Sequence, residues 1–179
     1  MEILKLLVMG LPASGKTTFV KHVFEKKGLE DMNEYNPTFG VNIALYDYKK
    51  KGEVKVSVFD CGGQTSFIDT YFTDRWVPML FAEVSGFVFM VDSSAKDKLE
   101  DAGRLFRRYL ENVLKYSTDT SVYVLASKWD KHSIMNEELK KEFLDTVVYP
   151  VSVLDDSAKK TAEKILDNLI KRKLGVQKL

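Results

Sequence analysis

The sequence predicts an α/β fold, with a six-stranded and mostly parallel sheet, one antiparallel edge strand and helices on both faces. Nearly continuous apolar runs occur at residues 3–9, 87–91 and 122–126, as in parallel strands that are covered on both faces. Amphipathic stretches with apolar residues at helical spacing occur at residues 19–24, 99–113 and 158–169. Strands that alternate with helices imply right-handed crossovers and ligands at the carboxyl ends of the strands.

A hairpin supplies the antiparallel edge of this predicted sheet. Valines alternate with polar residues over residues 54–58, and residues 41–48 alternate more loosely. The turn-forming Lys51-Gly52-Glu53 joins the two runs, so we expect an antiparallel pair at one edge. The last strand should come before the segment Tyr149-Pro150-Val151-Ser152-Val153, ahead of the final helix.

Length and composition predict a single domain over residues 1–179. Hydrophobic residues make up 45% of the chain and charged residues 30%, close to the averages of soluble globular proteins. A net charge of +1 gives no electrostatic case for nucleic acid as a partner. A single cysteine, Cys61, cannot form an internal disulfide, which favours a cytoplasmic protein.

Nothing in the sequence predicts a stable membrane anchor. The first residues lack the features of a signal peptide, Glu2 excludes N-myristoylation, and the last four residues contain no cysteine for prenylation. No apolar run reaches membrane-spanning length. We therefore expect a soluble protein that reaches membrane surfaces only transiently, through its partners.

Phosphate binding is predicted by Gly10-Leu11-Pro12-Ala13-Ser14-Gly15-Lys16-Thr17, which fits G-x-x-x-x-G-K-[ST] between an apolar strand and a helix. The loop backbone would wrap a phosphate, since N–H groups and the positive end of a helix bind negative charge. Lys16 would neutralise the β- and γ-phosphates, and Thr17 would ligate Mg²⁺. Thr18 follows as a further nucleotide contact. The alternative is an ordinary glycine-bearing turn.

The next motif, Asp60-Cys61-Gly62-Gly63-Gln64, follows an apolar strand and points to Mg²⁺ and hydrolysis. Asp60 would hold Mg²⁺ through water at the carboxyl end of that strand. Gly63 would let its backbone N–H approach the γ-phosphate, and Gln64 would orient the attacking water. The alternative is a Gly-Gly loop with an incidental glutamine.

A threonine upstream is the candidate sensor of GTP. Thr38 lies in Asn36-Pro37-Thr38-Phe39-Gly40, a polar connection before the first hairpin strand. Its hydroxyl could reach Mg²⁺ and its N–H the γ-phosphate, because such segments order and disorder with that phosphate. By itself the sequence could equally form a simple turn.

Guanine selectivity is predicted at the end of the strand over residues 122–126. There, Ser127-Lys128-Trp129-Asp130 has the place and shape of an [Asn/Thr]-Lys-x-Asp clamp. The Asp130 carboxylate can accept from guanine N1–H and the exocyclic amine together, and the Lys128 stem can cover the base. Ser127 is shorter than asparagine, so we expect fewer bridging hydrogen bonds to the phosphate loop.

The last contact with the base should follow the final strand. There, Ser152 is the candidate loop side chain and Val153 the candidate N–H donor to guanine O6. The alternative for the whole base end is a solvated lysine and aspartate in a loop.

Taken in order, these segments resemble the Ras superfamily, and residues 3–172 are most similar to the G domain of Rag/Gtr GTPases. The run Phe59-Asp60-Cys61-Gly62-Gly63-Gln64-Thr65-Ser66-Phe67, then Tyr71-Phe72, is similar to that family's switch II. Val151-Ser152-Val153-Leu154-Asp155-Asp156-Ser157 is similar to its Thr-Ser-Ile-x-Asp-x-[Ser/Thr] segment. The resemblance implies a P-loop NTPase G domain that binds GTP or GDP with Mg²⁺ and hydrolyses GTP slowly, as a switch in signalling or trafficking.

The resemblance also assigns roles to particular residues. It implies Mg²⁺ ligands at Thr17, Thr38 and Asp60, a catalytic set of Gln64, Lys16 and Thr38, and base readers at Lys128 and Asp130. Rag/Gtr proteins pair through a C-terminal roadblock-type domain, which this sequence does not carry after its last helix. We therefore expect any roadblock-type domain to belong to a separate partner.

Activating, exchange and effector proteins are the expected protein partners. They would bind the first switch segment, Thr38 to Gly40, and the second, Phe67 to Trp76. The apolar residues of the second segment, from Phe67 to Trp76, have helical spacing and suit either partner binding or core packing. No clear arginine finger lies in the chain, and we expect Arg75 on an exposed helix surface.

Three alternatives remain open at this stage. The chain could be an Arf-like or other Ras-like trafficking GTPase. Pro12 offers no N–H to a phosphate, and with Ser127 it permits a hydrolysis-deficient GTP-binding scaffold. A P-loop phosphotransferase for a small metabolite would leave both Gln64 and Asp130 unexplained. Two lesser expectations are that His22 and His132 lie at the surface and that Gly28 follows the end of the first helix.

Overall fold

The computed structural model describes residues 2–32, 37–48, 54–131, 134–173 and 175. Over these residues it contains a six-stranded sheet of order β2-β3-β1-β4-β5-β6. The strands are β1 (Glu2–Met9), β2 (Val41–Tyr48), β3 (Val54–Cys61), β4 (Gly86–Asp92), β5 (Ser121–Ser127) and β6 (Val148–Pro150). The predicted fold class is confirmed.

The pairing of the strands places the predicted hairpin at one edge. β2 is antiparallel to β3, with Val41 opposite Cys61, whereas β3, β1, β4, β5 and β6 are parallel. The turn predicted at residues 51–53 lies outside the described residues, as do Asn36 and His132. Because the parallel strands point the same way, their carboxyl ends meet at one edge of the sheet, where the predicted site residues follow.

Six helices surround the sheet in the described part of the chain. They are α1 (Lys16–Phe24), α2 (Thr65–Ile68), α3 (Val77–Phe81), α4 (Leu99–Tyr116), α5 (Asn136–Glu142) and α6 (Ser157–Lys173). Short 3₁₀ turns occur at Leu29–Met32, Asp69–Phe72, Lys96–Lys98 and Trp129–Lys131. None of the described helices is both long and apolar enough to cross a bilayer.

The two faces of the sheet carry separate cores. On one face α1 and α6 pack through Phe19 and Leu166 against the aliphatic residues of β1, β3 and β4. On the other face the helices α2 to α5 enclose an aromatic core around Phe89, Phe106 and Phe143, whose rings lie 5.3–5.7 Å apart. Both faces are therefore covered, as the apolar strands predict.

Two local expectations on α1 are wrong. The helix ends at Phe24, and the left-handed residue that follows is Lys26, with a φ of 56°, rather than Gly28. His22 is buried, at 8% exposure, and its Nδ1 lies 3.2 Å from the Lys27 carbonyl oxygen. The chain after α1 folds back against the helix, which places the His22 ring next to the Lys27 carbonyl group.

Candidate nucleotide-binding site

The phosphate loop connects β1 to α1 in a tightly packed backbone turn. Gly10 has a φ of +151°, and a Cβ there would lie 2.2 Å from the Met90 carbonyl oxygen. Gly15 has a φ of +86° and directly precedes α1. Ala13 also adopts a left-handed conformation, with a φ of 60°. The loop thus leads the chain from the sheet edge into the amino end of a helix, where anions bind.

Lys16 is buried inside this loop at 5% exposure. Its ammonium group donates to the carbonyl oxygens of Gly10, at 3.0 Å, and Leu11, at 2.7 Å. Burial lowers the pKa of Lys16 to about 8, against the opposing effect of the Asp60 charge. A buried cation held by neutral carbonyls has a strong need for an anionic partner.

Three oxygen-bearing side chains from separate segments meet beside the loop. The Thr17 hydroxyl donates to Asp60 Oδ2 at 2.7 Å and lies 2.7 Å from the Thr38 hydroxyl. Asp60 is 1% exposed, and its Oδ1 makes no hydrogen bond to any described residue. Burial raises the pKa of Asp60, although the Thr17 hydrogen bond opposes this. An orphaned carboxylate oxygen beside a pair of hydroxyls fits Mg²⁺, which takes oxygen ligands.

Lys16, Thr17 and Thr38 border one cleft of about 340 Å³. Its walls include the predicted residues Pro12, Ala13, Gly15, Lys16, Thr17, Thr18, Thr38, Gly63 and Gln64. Ser14 lies behind the wall, and its hydroxyl is 3.3 Å from the Lys16 ammonium group. Lys21 and Met32 also line the cleft, and sequence reasoning missed them. Lys21 lies four residues after Thr17, on the same helix face, so helical spacing could have identified it.

The two glycines after Cys61 allow a close approach between segments. A Cβ at Gly62 would lie 2.3 Å from the Thr38 carbonyl oxygen, and one at Gly63 would lie 2.5 Å from the Gly10 carbonyl oxygen. Real Cβ atoms do not approach oxygen this closely, so any side chain would push the segment away. Gln64 follows in an extended conformation, lines the cleft and directly precedes α2.

A second cleft, of about 230 Å³, continues from the first because both include Gly15 and Thr18. Its walls also include Ser127, Lys128, Asp130 and Val153. The Ser152 hydroxyl donates to Asp130 Oδ1 at 2.9 Å and accepts from the Leu154 N–H at 3.1 Å. A carboxylate is therefore fixed at the far end of a groove that begins at the phosphate loop.

Lys128 and Ser127 are both tied to neighbouring strands. The Lys128 ammonium group lies 2.5 Å from Asp92 Oδ2, at the end of β4. The Ser127 hydroxyl is 2.8 Å from the Ser14 carbonyl oxygen and 3.1 Å from that of Val91. Although serine is shorter than asparagine, it still bridges the base end to the phosphate loop. Sequence reasoning missed Asp92, whose position beside the end of β5 requires knowledge of the strand order.

A comparison with known protein families agrees with this geometry. A model of the Gtr1/RagA G protein conserved region matches residues 5–172. The chain belongs to the Gtr1/RagA family. It is therefore a Ras-superfamily small GTPase of the Rag/Gtr-like type, as the resemblance of its motifs predicted.

Individual relatives place this Gtr1/RagA-family chain near two kinds of small GTPase. It is 27% identical over 180 residues to GTP-binding protein GTR1 of Saccharomyces cerevisiae, covering 93% of this chain. It is 29% identical to ADP-ribosylation factor-like protein 1 of the same yeast and 30% identical to ADP-ribosylation factor-like protein 2 of Dictyostelium discoideum, over 78% and 79% of this chain. The chain spans 57% of the GTR1 relative and 68% and 69% of the other two.

A solved structure supports the fold. The Arl6 BBS3 small GTPase from Trypanosoma brucei, determined with the bound nucleotide analogue GppNp, superimposes with a TM-score of 0.75 at 19% sequence identity. The match covers 95% of this chain and 99% of that one.

The apolar residues of the second switch segment lie in the aromatic core or pack against it. Ile68 and Tyr71 are buried in the aromatic core, and Phe67, Phe72 and Trp76 are partly buried against it. Phe39, in the first switch segment, is an exposed aromatic residue, at 73% exposure, and packs edge to face on Phe67 at 5.9 Å. Arg75 is exposed, but it lies in the turn before α3 and not on a helix.

Proposed function

We propose that the chain is one G domain that works as a GDP/GTP switch with slow, Mg²⁺-dependent GTP hydrolysis. The meeting of Thr17, Thr38 and Asp60 beside the buried Lys16 carries this proposal. The three candidate metal ligands come from the phosphate loop, the first switch segment and the end of β3. They can therefore bind one cation only when these three segments come together. A γ-phosphate would favour that arrangement.

At the phosphate end, the loop N–H groups and Lys16 bind the phosphates. The Lys16 ammonium group is already held by two loop carbonyl oxygens, so its charge is preorganised for the β- and γ-phosphates. Thr17, Thr38 and Asp60 would hold Mg²⁺. When bound, the cation would supply neutralisation of charge on the phosphate oxygens.

For hydrolysis, Gln64 orients the attacking water and Gly63 presents its N–H to the γ-phosphate. Pro12 lacks an N–H, so the loop offers one donor fewer beside this phosphate. Unassisted GTPases of this kind turn over at about 10⁻⁴ to 10⁻² s⁻¹, and an arginine finger accelerates them about 10³- to 10⁵-fold. We therefore propose a slow intrinsic rate and a separate activating protein.

At the base end, Asp130 accepts from guanine N1–H and the exocyclic amine, while the Lys128 stem covers the ring. Val153 donates its N–H to guanine O6. The hydrogen bond from Ser152 holds one oxygen of Asp130 in place, which favours a single orientation of the carboxylate. Adenine offers no matching pair of donors, so this end selects guanine.

Protein partners would bind the first and second switch segments together. Phe39 supports this because it is a large, exposed aromatic next to the metal ligand Thr38. Exchange, activating and effector proteins are the expected classes, with a roadblock-type protein as a further partner, in the cytoplasm or transiently at membranes. The likeness to two ADP-ribosylation factor-like proteins favours an Arf-like trafficking role as the second candidate.

Two measurements test the proposal. Nucleotide extracted from the purified protein should be GDP or GTP, and bound ATP would exclude the GTPase function. Single-turnover GTP hydrolysis should be slow in the wild type and fall about 10-fold or more in Gln64→Leu. Ser66→Leu, an exposed position two residues along the chain, is the matched control. Equal rates for the wild type and Gln64→Leu would instead favour a hydrolysis-deficient scaffold.

A further inference from the structure

The hydroxyl group of Tyr71 lies where the two switch segments meet. Tyr71 is completely buried, and its ring packs in the aromatic core beside Trp76, at 6.3 Å. Its hydroxyl is 2.8 Å from the Gly40 carbonyl oxygen and 3.0 Å from the Gly62 carbonyl oxygen. One phenol from the second switch segment therefore contacts the backbone of the first segment and the backbone of the glycine pair that follows β3.

The backbone around this hydroxyl is already closely fitted. The Gly62 N–H donates to the Gly40 carbonyl oxygen at 2.7 Å, so this oxygen accepts from two donors. Gly62 also lies against the Thr38 carbonyl oxygen, where a Cβ would be 2.3 Å away. Gly40 itself has a φ of +73°, which glycine adopts without strain. The Tyr71 hydroxyl, the two carbonyl oxygens and the left-handed backbone of Gly40 therefore fit one another closely where Gly40 meets Gly62.

The position of these groups in the chain connects them to the γ-phosphate. Gly40 comes two residues after Thr38, and Gly62 comes directly before Gly63. Thr38 lies at the cation site, 2.7 Å from Thr17, and Gly63 lies against the phosphate loop. A link between Gly40 and Gly62 therefore joins two neighbouring contacts of the same phosphate.

The phenol can act only as a donor at this place. Burial raises the pKa of Tyr71 well above its ordinary value, so the hydroxyl keeps its proton at any pH at which the protein is assayed. Tyr109 makes a useful contrast within the same core. It is 1% exposed and stacks on Phe72 at 5.4 Å, but its hydroxyl bonds neither Gly40 nor Gly62.

We propose that the Tyr71 hydroxyl is a positioning group that couples the two switch segments, so that Thr38 and Gly63 engage the γ-phosphate together. The inference rests on the proposed function of the site. GDP has no γ-phosphate and gains nothing from joined segments, whereas a GTP analogue needs both. Removal of one hydroxyl should therefore weaken binding of the GTP analogue selectively.

The experiment compares Tyr71→Phe with Tyr109→Phe in the full chain. Dissociation constants for GDP and for a non-hydrolysable GTP analogue are measured in Mg²⁺ by fluorescent-nucleotide titration, and thermal melting of the GDP-bound proteins reports on stability. One net hydrogen bond corresponds to roughly a 2- to 10-fold change in an equilibrium constant. Tyr71→Phe should reduce the preference for the GTP analogue over GDP by that factor, and Tyr109→Phe should leave it unchanged.

A double-mutant cycle with Thr38→Ala separates coupling from simple loss of packing. If the hydroxyl acts by positioning Thr38, Tyr71→Phe should have a smaller effect on nucleotide preference when Thr38 is already removed. Hydrogen exchange of the amides at residues 38–43, with the GTP analogue bound, should be faster in Tyr71→Phe than in the wild type and Tyr109→Phe.

The outcomes are distinct. Equal weakening of GDP and GTP-analogue binding in Tyr71→Phe would make the residue merely structural and overturn the inference. Full additivity in the Thr38→Ala cycle would do the same. If the wild-type protein failed to bind GTP at all, the proposed function would be overturned, and the inference with it. A selective loss of GTP-analogue affinity in Tyr71→Phe, together with non-additivity in the Thr38→Ala cycle, supports the inference.

Discussion

The phosphate-binding groups of the groove come from consecutive residues of one loop, whereas the base end is assembled from three strand ends. Pro12, Ala13, Gly15 and the buried Lys16 line the phosphate cleft, and the Lys16 ammonium group is held by the Gly10 carbonyl oxygen. At the other end, Asp92 of β4 holds Lys128, and Ser152 after β6 holds Asp130. Loss of the central lysine at the phosphate end should therefore weaken nucleotide binding strongly, whereas loss of a tethering side chain at the base end should weaken it only slightly.

The largest effect is expected for Lys16→Met, which removes the central charge of the phosphate end. Hydrogen bonds to charged groups contribute about 1.5–3 kcal/mol each, so loss of contacts with two phosphates should weaken GDP and GTP binding roughly 10²- to 10⁴-fold. Lys27→Met, at an exposed lysine that pairs with Glu25, is the control. Isothermal titration should show near-normal affinity for this control. A loss in Lys16→Met of less than fivefold would contradict the central role of the lysine.

The same variant also changes how stability depends on pH. Burial lowers the pKa of Lys16 to about 8 from 10.5. Between these two pH values the unfolded chain binds the proton and the folded site does not, so stability of the nucleotide-free protein rises with pH there. The melting temperature of the wild type, relative to that of Lys16→Met, should therefore climb from pH 8 to pH 10 and be flat between pH 6 and pH 7.

Asp130→Asn should have the next largest effect, because it removes the group that reads the base without touching the phosphate end. Asparagine can replace the two hydrogen bonds from guanine to a carboxylate by at most one neutral bond, which predicts a roughly 10²- to 10³-fold weaker GDP affinity. Xanthosine diphosphate, which carries a carbonyl in place of the exocyclic amine, should bind Asp130→Asn better than it binds the wild type. Asp156→Asn, at an exposed aspartate, is the control. Unchanged preference among the bases would mean that Asp130 does not face the base.

The difference between the two ends also decided what the sequence alone could reveal. The phosphate end is one contiguous motif between a strand and a helix, so Gly10 to Thr18 could be assigned from spacing. Thr38 and Asp60 required only the expected order of the segments. Asp92 could not be assigned, because its role depends on β4 lying beside β5. His22 and Lys26 show a further limit, since the fold of the chain after α1 overrides the local preference for glycine and for exposed histidine.

Ser127→Ala tests the connection between the two ends. Its hydroxyl is 2.8 Å from the Ser14 carbonyl oxygen of the phosphate loop, so its loss should loosen both clefts at once. Nucleotide dissociation, followed with a fluorescent GDP, should be about 3- to 10-fold faster, with the preference for guanine over adenine retained. Ser121→Ala, at the opposite end of β5, should dissociate GDP at the wild-type rate. A change in base preference without faster dissociation would assign Ser127 to the base end alone.

Ser152→Ala should produce the smallest effect, since it removes a tether and leaves the reading group in place. The Ser152 hydroxyl donates to Asp130 and accepts from the Leu154 N–H, so alanine frees the carboxylate to rotate and leaves that N–H without its acceptor. Inosine diphosphate lacks the exocyclic amine, so it tests the orientation of Asp130 directly. The ratio of GDP to inosine diphosphate affinity should fall about 2- to 5-fold, because a freer carboxylate aligns less often with both donors. If this ratio stayed unchanged while both affinities fell, Ser152 would support the loop as a whole and not the carboxylate, and the base end would resemble the phosphate end in relying on its backbone.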